Sequence, residues 1–123
     1  MKQIYGQKAV DGAGVHLVRI LSNSDVQDFD PFLMLDSFDS TNPSDYLAGF
    51  PMHPHRGIET VTYLISGRID HEDSLGNKGT IHSGECQWMT AGSGSARDRL
   101  RSALAPDMPA AGARATQRRL KKM

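Results

Sequence analysis

Thiol chemistry is almost missing from this chain: a single cysteine, Cys86, occurs in 123 residues. That excludes an internal disulfide and any Cys-x-x-Cys pair, and with them a stapled secreted scaffold or a zinc finger. Cys86 reads as a small hydrophobe on a strand. Also missing is any run of roughly 18 apolar residues that could span a bilayer. The opening Met1-Lys2-Gln3-Ile4-Tyr5-Gly6 lacks the apolar stretch of a secretory leader. No membrane association is expected, and the cytoplasm is the expected compartment. Net charge is absent too, with 14 basic residues against 14 acidic ones.

That balance hides an asymmetry. Residues 1–92 carry six bases against twelve acids, whereas residues 93–123 carry eight bases against Asp98 and Asp107. The basic end has no aromatic interleaving and no recognition motif, so nucleic acid is not expected as a partner. Ser93 and Ser95 have no histidine nearby in sequence to activate them, which argues against serine-hydrolase chemistry. The length and the 38% hydrophobic content suit one small core.

What the sequence does contain is a succession of short β-type runs punctuated by glycine. Val15-His16-Leu17-Val18-Arg19-Ile20-Leu21 is β-branched and apolar and predicts a strand. Residues 29–36 predict a strand start or sheet edge, because Pro31 removes a ladder donor. Residues 37–52, rich in Asp, Ser, Pro and Gly, predict a loop. Residues 58–65 form the clearest strand, closed by Ser66-Gly67, with residues 68–73 expected as its hairpin partner. Turns at Ser74-Leu75-Gly76-Asn77 and Ser83-Gly84 then separate strands at 78–82 and 85–89, the pattern of an all-β sandwich or barrel. Past Gly94 the alternation stops, and residues 95–123 are expected to be irregular or weakly helical.

The chemistry concentrates at His53-Pro54-His55. Two residues apart on a strand, these histidines share a face with side chains about 6 to 7 Å apart, so they can converge on one ion. Imidazole suits iron, zinc, copper, nickel and manganese. His16, His71 and His82 have no second histidine at i+2 and read as ordinary strand residues, and Asp70-His71-Glu72-Asp73 as a solvated hairpin end. Trp88 is expected in the core. Glu59, four residues past His55, would keep the same facing on a regular strand. It reads first as a hydrogen-bonding carboxylate beside the site and second as a ligand.

His53-x-His55, then Glu59 after three residues and Gly67 after seven more, resembles the first cupin motif. Three segments sharpen the likeness: Phe29-Asp30-Pro31-Phe32-Leu33-Met34-Leu35-Asp36, His53-Pro54-His55-Arg56-Gly57-Ile58-Glu59-Thr60-Val61-Thr62-Tyr63-Leu64, and Gln87-Trp88-Met89-Thr90-Ala91-Gly92-Ser93-Gly94. In order and spacing they resemble signature segments of the pirin family, and the likeness covers residues 1–94.

The resemblance implies an all-β cupin jelly-roll barrel (a double-stranded β-helix), here an incomplete N-terminal cupin of a bicupin spanning residues 1–94. The remaining residues, 95–123, would form a basic Ala/Arg-rich tail, expected to be disordered and foreign to the family. It also implies one divalent metal, Fe(II) first, held by His53 and His55. The associated activity is quercetin 2,3-dioxygenase, with a flavonol-like small molecule as substrate. The alternative is an iron-dependent, redox-sensing module that binds a protein partner.

Family members add a His-x-Glu pair after the Gly-x-Gly that closes the third segment. Those positions fall here on Asp98 and Leu100, and Leu100 has no donor atom. Two of four ligands therefore remain, and impaired activity is expected. The loss of pattern after Gly94 has an economical explanation in a change of reading frame near codon 94.

Overall fold

Alternation builds the fold from its first strands. In a computed structural model, the described residues are 3–11, 14–40, 42–45, 50–51, 53–91, 97–101 and 113–121; residues 43, 53–54, 97–101 and 113–121 are described as backbone only. Strand β1 (Gln7–Asp11) pairs antiparallel with β2 (Val15–Leu21), where Val15 and Leu17 turn inward and His16 and Val18 outward. β3 (Phe32–Ser40) follows, with Asp36 and Phe38 buried. A two-residue β4 (His53–Pro54) precedes β5 (Ile58–Ser66), whose Thr60, Thr62 and Leu64 are buried. The chain continues through β6 (Arg68–Glu72), β7 (Lys78–His82), β8 (Cys86–Ala91), β9 (Arg97–Arg101) and β10 (Ala113–Lys121). Among the described residues there is no α-helix, only 3-10 turns at Asn23–Asp25 and Pro43–Asp45.

These strands form two sheets, ordered β1-β2-β3-β10-β5-β8 and β4-β9-β6-β7. Leu17, Phe38 and Leu64 from the first meet Ile69 and Ile81 from the second in one core cluster, flanked by Ala9 and Phe50. Full burial of a side chain such as Leu64 or Ile69 contributes about 1.5–3 kcal/mol.

The all-β expectation holds, with local differences that have physical causes. β1 carries almost no sequence signal because it is an edge strand with little to bury. β3 runs to Ser40, into the segment expected as loop, because it is paired on both sides, by β2 and β10.

β6 is not the hairpin partner of β5. The single linking residue Gly67, at φ 111°, is too short for the two-residue loop of the tightest common hairpins, and the chain changes sheets there. β6 pairs instead with β7 through the expected turn, Glu72 facing Lys78. Asp73 fixes that turn: its carboxylate accepts from the Leu75 and Asn77 amides at 2.9 Å and from Asn77 Nδ2 at 2.7 Å.

Beyond Gly94, where irregular or weakly helical chain was expected, β9 and β10 are strands. β10 inserts between β3 and β5, and the ladder on both its sides outweighs a weak helical preference.

One ionic cluster ties β1, β2 and β3 together. The Arg19 guanidinium donates to both carboxylate oxygens of Asp36 at 2.8 Å and to Asp11 Oδ2 at 3.0 Å. Asp36 is buried, so the pairing satisfies a carboxylate that water does not reach. The hydrogen bond to Asp36 is the chief cause that raises the Arg19 pKa, against the opposing effect of burial.

Candidate metal centre

β4 is short because Pro54 lacks an amide donor and can contribute little to a ladder. Its pairing is nevertheless defined: His53 stands opposite Asp98 and Pro54 opposite Arg97 on β9. The backbone of His53 is thus placed, while its side chain lies outside the described residues. His55 follows β4 directly and is 4% exposed. A buried imidazole next to an exposed Arg56 is an inward-facing polar group, the disposition a metal ligand requires.

Glu59 does not share the facing of His55. Gly57, at φ 64°, interrupts the extended chain between them, so the count of four residues on a regular strand does not apply. On β5 the buried residues are Thr60, Thr62 and Leu64, and Glu59 belongs to the opposite, outward row. There its carboxylate accepts a hydrogen bond from Trp88 Nε1 at 3.1 Å.

Trp88, expected in the core, is 65% exposed, because it pairs with outward Val61. The inward places on β8 go to Gln87, Met89 and Ala91, with Gln87 beside Thr62 and Met89 beside Thr60. Cys86 lies on β8 as expected, but on the exposed row.

His16 and His82 are exposed strand residues, in keeping with the sequence reading. His71 is not part of a solvated hairpin end. It lies on β6 two residues past the buried Ile69, on the inward row, and its Nδ1 is buried without a hydrogen-bond partner. Gly79 of β7 stands opposite, and a Cβ there would come within 2.7 Å of both Cε1 and Nε2 of the imidazole, so the ring lies over the glycine. The sequence held a signal for this: Ile69-x-His71 faces Ile81-x-Gly79, a large-small pairing on the inner row.

Asp70 occupies the outer row, accepting from Thr80 Oγ1 at 2.7 Å and from Arg68 at 3.1 Å. Burial alone would raise its pKa, but the Thr80 and Arg68 hydrogen bonds outweigh it and hold the carboxyl below the ordinary 3.8. Hydrogen bonds from Asn77 do the same for Asp73.

Among the described residues no group of three or more His, Cys, Asp or Glu side chains is close enough to hold a metal. The side chains of His53 and Asp98 lie outside that set. What is described fits a metal in its donor chemistry through the buried imidazole at His55. No helix among the described residues is long and apolar enough to cross a membrane.

Known proteins agree with this architecture. The family model described as Pirin matches residues 14–108. A Pseudomonas aeruginosa protein named "Putative quercetin 2,3-dioxygenase" is 60% identical over 89 residues, 72% of this chain and 31% of its own length. A pirin-like protein of Caulobacter vibrioides is 56% identical over 94 residues, 76% of this chain and 34% of its own. The chain therefore spans about a third of the length of these relatives.

Among solved structures, a quercetin 2,3-dioxygenase from Acinetobacter baumannii superposes with a TM-score of 0.71 at 31% identity, covering 98% of this chain and 44% of its own. A bacterial pirin from Escherichia coli, solved with nickel(II), superposes at 0.63 with 25% identity, covering 94% and 48%. A likeness at 10% identity to a predicted oxalate decarboxylase of Thermotoga maritima, TM-score 0.66, shows the shared fold alone. With its two-sheet cupin architecture, its His53-Pro54-His55 segment and a family match over most of its length, this chain belongs to the pirin family.

Proposed function

We propose that this chain carries the metal-binding half-site of a pirin-type quercetin 2,3-dioxygenase, with Fe(II) as the ion and a flavonol as the substrate. The observation that carries this reading is the burial of His55 directly after β4, with His53 paired to β9. The name of the Pseudomonas aeruginosa relative supports the activity, and the nickel complex of the Escherichia coli pirin supports a divalent ion.

His53 and His55 would hold the ion, which when bound supplies Lewis-acid polarisation of an oxygen ligand at its open positions. The inner rows do the rest of the work. Thr60, Thr62 and Gln87 would offer hydroxyl and amide groups to a polyphenol, with Met89 and Ala91 on the same inward rows as its apolar side. The chain on its own turns over weakly, because Leu100 stands where the family's carboxylate ligand belongs.

Release of carbon monoxide from quercetin by the Fe(II)-loaded chain, measured beside a full-length relative, tests this reading. Slow release that disappears in His55→Ala is expected; no release from either protein with iron bound overturns the dioxygenase assignment. A second reading is a redox-sensing module that docks a protein partner. The exposed outer row of β5 and β8, with Tyr63, Ile65 and Trp88, favours it by offering an apolar contact surface.

A further inference from the structure

We infer that β8 is the edge along which two copies of this chain join, strand against antiparallel strand, so that the six-stranded sheet of one copy continues into that of the other. This goes beyond the metal-binding reading and does not depend on it.

Among the described residues four strands end the two sheets, and three of them carry features that keep an edge from pairing. β1 presents Lys8 and Asp11, and β7 presents Lys78 and His82. β4 is two residues long and ends in Pro54, which has no amide to donate. β8, Cys86-Gln87-Trp88-Met89-Thr90-Ala91, has neither charge nor proline. Its register with β5 also runs from Ala91 to Cys86 without a bulge, so nothing twists the edge away. The backbone donors and acceptors on the side away from β5 form a template for another strand.

The side chains along this edge are those that a pairing strand would cover. On the outward row Trp88 is 65% exposed, next to Tyr63 at 45% and Ile65 at 42% on β5. On the inward row Gln87 and Met89 remain half-buried, whereas Thr62 and Thr60 opposite them on β5 are buried. The Trp88 indole is already oriented by its hydrogen bond to Glu59, which lowers the cost of ordering it in a contact.

The strand is complementary to itself. Directly opposed residues of an antiparallel pair share a face, so pairing about a two-fold axis keeps the outward row outward on both copies. The centred register that buries the most apolar surface sets Trp88 against its own counterpart, Gln87 against Met89 and Cys86 against Thr90. No like charges meet there, and the two indoles lie at the axis. A second copy brings the same neutral strand and the same apolar row by symmetry, which is what a contact between identical surfaces requires. The contact is narrow, so monomer and dimer should exchange with concentration.

Analytical ultracentrifugation of the full chain over a range of concentrations measures the association, with a thiol reductant present to prevent cross-linking through Cys86. Trp88 emission over the same range reads burial of the indole. A reversible monomer–dimer equilibrium is expected, with emission moving to the blue as concentration rises. Trp88→Lys and Trp88→Glu should each weaken self-association roughly tenfold or more, because an aromatic anchor is lost and like charges meet at the axis. An equimolar mixture of these two variants should associate more tightly than either alone. Circular dichroism establishes that each variant folds; if the Trp88 variants do not, Thr90→Lys, at an exposed position on the same edge, should weaken association. Leu75→Ser removes an exposed apolar side chain from the β6–β7 turn and should change nothing. A chain that stays monomeric at every concentration overturns the proposal and leaves the β8 row to a different protein. Association that survives every folded β8 variant, or that Leu75→Ser weakens as much as they do, overturns it too, since the contact would lie elsewhere.

Discussion

Trp88 Nε1 donates to Glu59 Oε2 at 3.1 Å across the β5–β8 pair, on the row that faces away from the core. The bond holds Glu59 on the outward row, away from the side on which Thr60 and Thr62 are buried. Glu59→Ala should therefore leave metal affinity unchanged within about twofold and cost roughly 1 kcal/mol or less, as for one exposed hydrogen bond. Trp88 is the only tryptophan, so its emission reports the loss directly. Loss of the metal in this variant would contradict the assignment.

Arg19 neutralises Asp36, which is 3% exposed. Replacing Arg19 by Met leaves that carboxylate buried and unpaired, at a cost of about 3–5 kcal/mol. Arg19→Lys should fall between Met and the native residue, because an ammonium cannot make the paired contacts with both oxygens. Urea unfolding of the three proteins measures the series. A loss below 1 kcal/mol for Arg19→Met would show that Asp36 finds another partner.

The β6–β7 hairpin should weaken in acid. Asp70 and Asp73 both have carboxyl pKa values below the ordinary 3.8 when folded. The unfolded chain then binds protons more readily, so their contribution is fully present above the unfolded pKa and is lost as pH falls through the folded one. Amide exchange at Leu75 and Asn77 should rise below about pH 4 relative to the intrinsic rate. In Asp73→Asn that acid-dependent step should shrink; an identical step would assign it elsewhere.

Gly79→Ala tests how the His71 ring is seated against β7. The added methyl meets the far end of the His71 side chain, which can swing aside, so the stability loss should be about 1 kcal/mol or less. Urea unfolding measures it, and a loss above about 3 kcal/mol would show that the ring cannot move.

How much of this was legible in the sequence depends on what each residue has to bury. The strands at Val15–Leu21, Ile58–Ser66 and Lys78–His82 announce themselves because alternation and β-branching match a half-buried sheet. The histidine pair announces itself by spacing. Register is not legible, since it depends on where a strand restarts: Gly57 resets the facing between His55 and Glu59, and Trp88 falls opposite Val61 on the outward row. The strands β9 and β10 form where neighbouring strands offer ladder partners, a cause that lies outside their own residues. The inward facing of His71, read as part of a solvated hairpin end, was hidden for a similar reason, because its row is defined by Ile69 and Gly79 together.

Metal content tests most directly whether His53 and His55 mark a working metal site. Chain purified after refolding with Fe(II) under anaerobic conditions, then desalted and measured by elemental analysis, should hold close to one ion per polypeptide. His53→Ala and His55→Ala should hold almost none while keeping the native β-sheet signal. Equal iron in the native chain and in a folded double variant lacking both histidines would contradict the claim.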